Sequence, residues 1–305
     1  MKKLDPIKQK LERLAELRAA AAASDLRPFL ADKSNFVVAR AASLAGGLRI
    51  EELAPELAAA FDRIMSHPAR LDPGCAAATA IVKALLAMEY LEPRVYLTGI
   101  RHVQMEPSYG GPVDAAVELR ATSALGLALT DSDGLLFELV GLLADREWRA
   151  RFAAARALAS TGRPDAIPVL QYKATIGDEQ PEVTGECLAG LMTLAPERYV
   201  PFSDSFIGHQ EAAVAEAAIL AFGVVRSQPA FETLARRWPQ LPAALRGAAL
   251  SAFAMMRCDA ALDFLIHLIE QADEKIAAEA DRVLLLHQNS DSVRNRVQEA
   301  RLRRR

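Results

Sequence analysis

The chain is poor in aromatic residues, in cysteine and in surplus charge of either sign. Aromatic residues make up 6% of the sequence although hydrophobic residues make up 51%, so the apolar content is mostly Ala and Leu. This composition suits closely packed helices and argues against a β-sandwich, which is rich in β-branched and aromatic residues. A formal net charge of −3 gives no general attraction to nucleic acid or to anionic lipid.

Long apolar runs and cysteine motifs are also missing. The cysteines, Cys75, Cys187 and Cys258, are widely spaced and odd in number, so they predict no disulfide framework and no CxxC site. A reducing, cytoplasmic setting fits this pattern. No uncharged run exceeds about 10 residues, which is well short of the ~18–20 that a membrane-spanning helix needs. We therefore expect a cytoplasmic protein with no membrane partner.

The motifs of common catalytic and cofactor sites are absent too. No two of the five histidines stand three or four residues apart, so the sequence contains no helical histidine pair for zinc. Gly110-Gly111 lacks the surroundings of a phosphate-binding loop, and no serine lies in a GxSxG turn. His102 and Glu106 are four residues apart, but two ligands are too few for a metal site. We expect no catalytic residues, no metal and no cofactor.

What the chain does contain is a repeat of small residues at helical spacing. Six helix centres follow one another at steps of 33, 33, 31, 31 and 31 residues. The centres are Ala124-Leu125, Ala157-Leu158, Gly190-Leu191, Ala221-Phe222, Ala252-Phe253 and Val283-Leu284. Three positions before each centre stands a small residue, namely Ala121, Ala154, Cys187, Ala218, Ala249 and Ala280. Such a period is typical of an α-solenoid, in which each unit packs on its neighbours.

This repeat predicts about eight antiparallel helix pairs in a single domain spanning 1–305. Residues 1–101 form irregular N-terminal repeats, with 7–23 as a capping helix and the pairs 34–47 with 50–66 and 73–90 with 93–101. Residues 102–111 form an inserted loop, and 112–305 hold regular repeats with a C-terminal cap. First helices are predicted at 112–129, 146–161, 180–195, 210–225, 241–257 and 273–287. Second helices are predicted at 133–144, 164–176, 197–207, 229–238, 259–271 and 290–302.

The regular part resembles HEAT repeats, particularly the short bacterial kind also found in phycobilin-lyase-type proteins. The resemblance is carried by Leu142-Leu143, Asp145, Arg151, Ala154, Leu158 and the run Pro164-Asp165-Ala166-Ile167-Pro168-Val169-Leu170. It implies a right-handed HEAT-like superhelix of bacterial type. It also implies that an Asp before each first helix and an Arg inside that helix form a ladder between successive units. Asp145 with Arg151 fits the ladder, whereas Gln240 with Arg246 does not. HEAT motifs specify a scaffold, so the resemblance transfers no catalytic residue.

The stride is broken once, ahead of Ala124. The preceding centre at Ala84-Leu85 lies 40 residues away, which exceeds the later steps by 7 to 9. The excess falls in the polar, Gly/Pro-rich segment 101–112, and inserted loops in solenoids often bind partners. We predict partner-binding roles for Arg101, His102, Gln104, Glu106 and Tyr109, with Tyr109 as aromatic anchor and Arg101 as charged clamp. The alternative is a plain connector whose Tyr and Met pack over a neighbouring helix.

Three functions remain open from the sequence. The first is a non-enzymatic scaffold that binds a protein or peptide along its concave face. The second is a HEAT-like enzyme, such as a DNA glycosylase or a bilin-lyase-like protein, and the third is a regulator whose solenoid flexes on binding. A glycosylase needs a basic face with aromatic side chains, for which only Trp148 and Trp238 are available beside arginines. Because the chain is acidic overall, we favour the scaffold and disfavour nucleic acid as the partner.

Overall fold

The computed structural model describes residues 6–17, 21–287 and 291–304, with only the main chain for Leu286 and His287. Across these residues the chain is built of helices joined by turns, with one short two-stranded hairpin. The predicted all-α fold of stacked helix pairs is confirmed. None of the helices in the described ranges combines the length and the apolar character that crossing a membrane requires.

Contacts between helices divide the chain into two compact units, Met1–Thr161 and Gly162–Arg305. The elements of the first unit are α1 (Pro6–Leu17), α2 (Ala23–Leu30), α3 (Asn35–Gly47), α4 (Ala54–Met65), α5 (Pro68–Leu71), α6 (Ala76–Ala87), α7 (Pro93–Ile100), β1 (Met105–Glu106), β2 (Val113–Asp114), α8 (Val117–Leu127), α9 (Leu135–Leu142) and α10 (Trp148–Ser160). Those of the second are α11 (Ala166–Ile176), α12 (Pro181–Leu194), α13 (Pro196–Ile207), α14 (Ala212–Val225), α15 (Gln228–Arg237), α16 (Ala243–Met256), α17 (Asp259–Gln271), α18 (Glu274–Val283) and α19 (Asp291–Arg304). A single continuous solenoid domain over 1–305 stays a prediction.

Within each unit the helices form two rows. In the first unit the first helices α3, α6, α8 and α10 pack in succession, and the second helices α4, α7 and α9 pack beside them. In the second unit α12, α14, α16 and α18 make the row of first helices, while α13 packs on α15 and α17 on α19. Neighbours in the sequence repeat are thus neighbours in space, which is the packing rule of helical-repeat proteins.

Five of the six residues of the small-residue column that predicted the repeat lie in the core. Ala154, Cys187, Ala218, Ala249 and Ala280 are all fully buried, and Ala121 is half-buried. Small side chains at these positions let the axes of successive first helices approach closely, so large residues are excluded from the crossings. The column is therefore a packing feature, and Cys187 serves in it as a small apolar residue.

Two predicted helices differ most clearly from the structure. The predicted capping helix 7–23 covers α1, which is described over Pro6–Leu17, and the start of α2 at Ala23. Residues 21–22 between them are not helical, and residues 18–20 lie outside the described residues. The predicted helix 112–129 begins only at Val117, because residues 113–114 pair as a strand. In the last predicted helix, residue 290 lies outside the described residues and α19 runs from Asp291.

Close approach of α7 and α8 fixes the two helices that flank the hairpin. A Cβ atom built on Gly99 would lie 2.1 Å from the hydroxyl oxygen of Ser123. One built on Gly126 would lie 2.1 Å from the ring of Tyr96, which is fully buried. Glycine is required at both positions because any side chain would push the helices apart. The hairpin is therefore connected at both ends to helices that are packed tightly against each other.

Exposed ion pairs connect consecutive second helices. In the first unit Arg94 pairs with Asp62 at 2.7 Å and Arg101 pairs with Glu138. In the second unit Arg237 pairs with Asp204 at 2.8 Å, and Arg303 of α19 pairs with Glu270 of α17 at 3.0 Å. An exposed pair of this kind contributes about 0–1 kcal/mol, so the buried rows carry most of the stability.

Candidate functional site: the hairpin cleft

The segment predicted as an inserted loop folds as a β-hairpin. Met105 pairs with Asp114 and Glu106 with Val113, and the main-chain N–H of Ala115 donates to the carbonyl of Gln104 at 2.9 Å. A two-stranded hairpin alone is marginally stable in water. Contacts to the rest of the first unit must therefore hold it in place.

The first set of contacts ties the hairpin to the turn before α6. Gln104 is 4% exposed, and its amide nitrogen donates to the carbonyl of Asp72 at 3.0 Å and to the carboxylate of Glu106 at 2.6 Å. The same carboxylate accepts the main-chain N–H of Gly74 at 2.7 Å. Hydrogen bonds from Gly74 and then from Gln104 lower the pKa of Glu106. Glu106 is thereby kept ionised, and its carboxylate is engaged in holding the hairpin to the turn before α6.

The second set of contacts is a buried ion network centred on Arg120 of α8. Its guanidinium pairs with Asp114 at 2.7 Å and with Asp145 at 2.9 Å, and it donates to the carbonyl of His102 at 2.9 Å. The Arg120 side chain is 3% exposed and that of Asp114 7%. Two carboxylates around one buried guanidinium satisfy its planar fork of donors, as such a site requires.

The charge state of this network follows from its surroundings. Burial raises the pKa of Asp114, but the main-chain N–H groups of Ala116 and Gln104, together with Arg120, outweigh it and hold the pKa below its usual range. Burial lowers the pKa of Arg120, and the hydrogen bonds to Asp145 and Asp114 more than restore it. Both partners are therefore charged at neutral pH.

In the Asp–Arg ladder predicted from the HEAT resemblance, the arginine that binds the Asp145 carboxylate is Arg120 and not Arg151. The Asp145 carboxylate is held by Arg120, whereas Arg151 donates to the main-chain carbonyls of Asp145 and Arg146, each at 2.9 Å. The aspartates themselves recur, because Asp114, Asp145 and Asp178 stand 31 and 33 residues apart. Each accepts the main-chain N–H two residues further on, at 2.9, 2.8 and 2.9 Å respectively. The Asp column therefore shapes the turn that begins each first helix.

Between the hairpin and the start of α10 lies a cleft of about 930 Å³, which we call the hairpin cleft. It is lined by Val103, Met105, Pro112, Val113, Asp114, Ala115, Val117, Glu118, Arg120, Ala144, Asp145, Arg146, Glu147 and Arg149. Val103 and Met105, which are 57% and 58% exposed, form an apolar wall on one face of the hairpin. Val113 is 51% exposed and lies on the other face, because it pairs with Glu106 while Met105 pairs with Asp114. The Arg120 network forms the polar part of the lining.

The lining of the hairpin cleft also includes two exposed arginines, Arg146 and Arg149. Within the part of the chain that the structure describes, neither has an ion-pair partner. The Arg149 guanidinium lies 4.8 Å from the ring centroid of Trp148, a cation–π contact. On the lining of α8, Glu118 pairs with Lys83 at 2.7 Å. Arg146, in the turn before α10, and Arg149 of α10 are thus left exposed to solvent.

The predicted partner-binding residues fall into two groups. Arg101 is paired with Glu138, and Gln104 and Glu106 are hydrogen-bonded to the turn before α6. His102 has its Nε2 atom 3.1 Å from the side-chain oxygen of Gln104. Tyr109 stands fully exposed at the hairpin tip, and Met105 is exposed too, so neither is covered by a helix.

Sequence reasoning missed the residues that build the hairpin cleft. Val103, Met105 and Val113 are apolar residues within or next to a polar, Gly/Pro-rich segment, and nothing in the local sequence shows that they stay exposed. Arg120 lies in the buried stripe of α8, one residue before the small-residue column, and a charge there signals a buried partner. The 31-residue step from Asp114 to Asp145 was a second available signal.

The two tryptophans considered for nucleic-acid binding lie in different surroundings. Trp148 is half-buried beneath Arg149. Trp238 packs edge-on against Phe253 and Phe264, with ring centroids 6.3 and 6.0 Å away, and Arg246 lies over its ring. The second tryptophan therefore belongs to an aromatic cluster of the second unit.

Solved structures similar to this chain include the complex of CpcE and CpcF of phycocyanin lyase from Nostoc sp. PCC7120, at 19% identity, 92% coverage of this chain, 95% of that one and a TM-score of 0.40. An engineered protein is similar at 17% identity, with 98% and 90% coverage and a TM-score of 0.38. Human deoxyhypusine hydroxylase in complex with glycerol is similar at 16% identity, with 83% and 91% coverage and a TM-score of 0.32.

Sequence families give the more local result. No match to the chain was found among curated protein sequences. The family model of HEAT repeats matches residues 113–172. This segment begins at β2, runs through α8, α9 and α10, and ends within α11. Residues 113–172 are therefore similar to HEAT repeats, and the resemblance predicted from the sequence is confirmed.

Proposed function

We propose that the chain is a non-enzymatic scaffold that binds a segment of another protein in the hairpin cleft. The observation that carries the proposal is the apolar wall of Val103 and Met105, which stays exposed although its hairpin is firmly held. Exposed apolar side chains next to polar groups are typical of interaction sites. Rigid presentation favours binding because little conformational entropy is lost on association.

The acidic groups in the hairpin cleft support a binding role over catalysis. A general acid or base works best with a pKa near the operating pH. The pKa of Asp114 is instead held low, and both Asp114 and Asp145 are engaged by Arg120. These carboxylates stabilise the hairpin, and in this proposal they shape the site without contacting the partner.

The residues predicted from the sequence take two roles in the proposal. Tyr109, at the exposed tip, extends the apolar wall and contacts the partner as an aromatic anchor. Arg101, Gln104 and Glu106 act as positioning residues, because their side chains hold the hairpin to α9 and to the turn before α6. His102 joins this group through its contact with Gln104.

Selection from a displayed library of random 12-residue peptides tests the proposal. The full chain is compared with the Val103→Ser/Met105→Ser variant, which removes both side chains of the apolar wall. The matched control is Phe36→Ser/Leu91→Ser, because these residues are 61% and 62% exposed in the same unit and outside the cleft lining. Peptides that bind the wild type and the control but not the cleft variant support the proposal. Peptides that bind all three proteins equally, or no enriched peptide, overturn it.

The glycosylase alternative is tested in the same preparation. Arg146 and Arg149 share the cleft with Glu118 and Glu147, and a continuous phosphate backbone would meet charges of both signs there. We expect no specific binding of a 20-base-pair DNA duplex in a mobility-shift assay. Tight binding that falls steeply between about 50 and 200 mM salt would favour the nucleic-acid function instead.

A further inference from the structure

We infer that the partner segment carries a carboxylate side chain next to apolar residues, so that the hairpin cleft selects acidic, apolar peptides. The inference rests on the proposed function and adds the chemistry of the ligand. It follows from which charges in the cleft are already compensated, from how the arginines are presented, and from the apolar wall of the same cleft.

The charges of the cleft that lack an ion pair lie around the start of α10. Asp114 and Asp145 share Arg120, whose single charge neutralises one of the two carboxylates, and Glu118 pairs with Lys83. Main-chain N–H groups also bind the two aspartates. In the described ranges, the lining groups without an ion pair are Arg146, Arg149 and Glu147, two cations against one anion. An incoming carboxylate therefore gains an ion pair, whereas an incoming ammonium group meets like charge.

The Arg149 side chain is also held in a restricted orientation that suits such a ligand. Its guanidinium is placed over the Trp148 ring at 4.8 Å, so part of its side-chain freedom is already lost before binding. A planar guanidinium binds a carboxylate through two parallel hydrogen bonds, which is a geometry that lysine does not offer. Exposed arginine on a fixed helix end therefore favours a carboxylate over a diffuse or neutral acceptor.

The apolar wall excludes a purely acidic ligand. Val103 and Met105 remain more than half exposed, and Met105 adapts its shape to different apolar side chains. A ligand with carboxylates alone would leave this wall in water, and a ligand with apolar groups alone would cover the arginines without satisfying them. A volume of about 930 Å³ lies near the top of the ~300–1,000 Å³ range of ligand sites, which suits a few residues of an extended peptide.

Fluorescence anisotropy with three labelled ten-residue probes tests the inference on the full chain. The first probe alternates Glu and Leu, the second alternates Lys and Leu, and the third alternates Glu and Ser. We expect the Glu/Leu probe to bind, and the other two to bind at least about tenfold more weakly at 50 mM salt. The preference for Glu over Lys shrinks at 500 mM salt because exposed charges are then screened.

Charge reversal locates the preference in the cleft. Arg146→Glu/Arg149→Glu is expected to weaken the Glu/Leu probe about tenfold and to strengthen the Lys/Leu probe. The control is Arg40→Glu/Arg282→Glu, which changes the net charge equally at two exposed arginines outside the cleft lining and leaves both affinities unchanged. Circular dichroism confirms that each variant is folded before its affinity is compared.

The outcomes separate the ligand chemistry from the function itself. Equal affinity for the Glu/Leu and Lys/Leu probes, no Glu/Leu binding, or no effect of Arg146→Glu/Arg149→Glu overturns the acidic preference. If library selection still yields peptides that depend on Val103 and Met105, the binding function survives such a result. If no peptide depends on the cleft, both are overturned.

Discussion

Replacing Arg120 by Met removes the cation at the centre of the buried network and leaves two carboxylates facing each other. Breaking a buried pair by deleting one partner costs about 3–5 kcal/mol, because the remaining charge is uncompensated. Asp114 keeps the main-chain donors of Gln104 and Ala116, and Asp145 keeps that of Glu147. We therefore expect the lower end of the range, about 3 kcal/mol, from Arg120→Met.

The assay combines guanidinium unfolding with hydrogen exchange, because a chain of two units need not unfold in one step. Exchange is expected to accelerate in residues 101–127 and to stay unchanged in 181–256. Exposed Arg226, substituted by Met, is the matched control, and its effect is expected to stay within about 0.5 kcal/mol. A loss below about 1 kcal/mol for Arg120→Met, or faster exchange in the second unit alone, would refute the reasoning.

The same network predicts how stability depends on pH. The folded-state pKa of Asp114 lies below its unfolded value of about 3.9, so its contribution is fully present above that pH. It is lost as the pH falls through the folded-state pKa. Wild-type unfolding measured between pH 6 and about pH 3 should therefore show a steeper loss of stability than Asp114→Asn, and parallel curves would contradict the assignment.

Two further predictions concern packing and thiol chemistry. Gly223→Ala should destabilise the second unit by about 1–3 kcal/mol, since the new Cβ lies 2.7 Å from Cα and O of Ala252. Gly247 lies at an exposed position of α16, and a Cβ built on it meets no atom within 4 Å, so Gly247→Ala should stabilise the second unit by about 0.5–1 kcal/mol. If the melting temperatures of the two variants shift in the same direction, both assignments are refuted. Iodoacetamide at pH 8 should modify half-buried Cys258 and spare Cys75, since burial and nearby carboxylates raise the pKa of Cys75 to about 12. Rapid labelling of Cys75 in mass spectrometry of the folded protein would contradict its placement.

The helices were predictable because local sequence controls them. Small residues at a 31–33-residue stride mark where first helices cross, and the structure buries Ala154, Ala218 and Ala249 at those crossings. The start of α8 was not predictable in the same way. Residues 112–116 have no helix breaker beyond Pro112, and the strand forms because Asp114 is drawn to Arg120 and to the N–H of Gln104.

The sequence pointed to the segment that contains most of the hairpin but not to the residues that line the cleft. The break in stride marked 101–112 as an insertion, and the hairpin strands are 105–106 and 113–114. The polar residues of that insertion were the natural candidates for binding, yet Gln104 and Glu106 bond to Asp72 and Gly74, about thirty residues away in sequence. Contacts over such a separation leave no local pattern. The exposed wall around Met105 became visible only once those polar groups were seen to be occupied.

Hydrogen exchange of the full chain, with and without the Glu/Leu probe at saturation, tests the central claim most directly. Slower exchange confined to residues 103–118 and 144–149 is the predicted result, because these segments line the hairpin cleft and carry Tyr109. Binding of the probe without protection in these segments, or with protection in the second unit alone, would contradict the account.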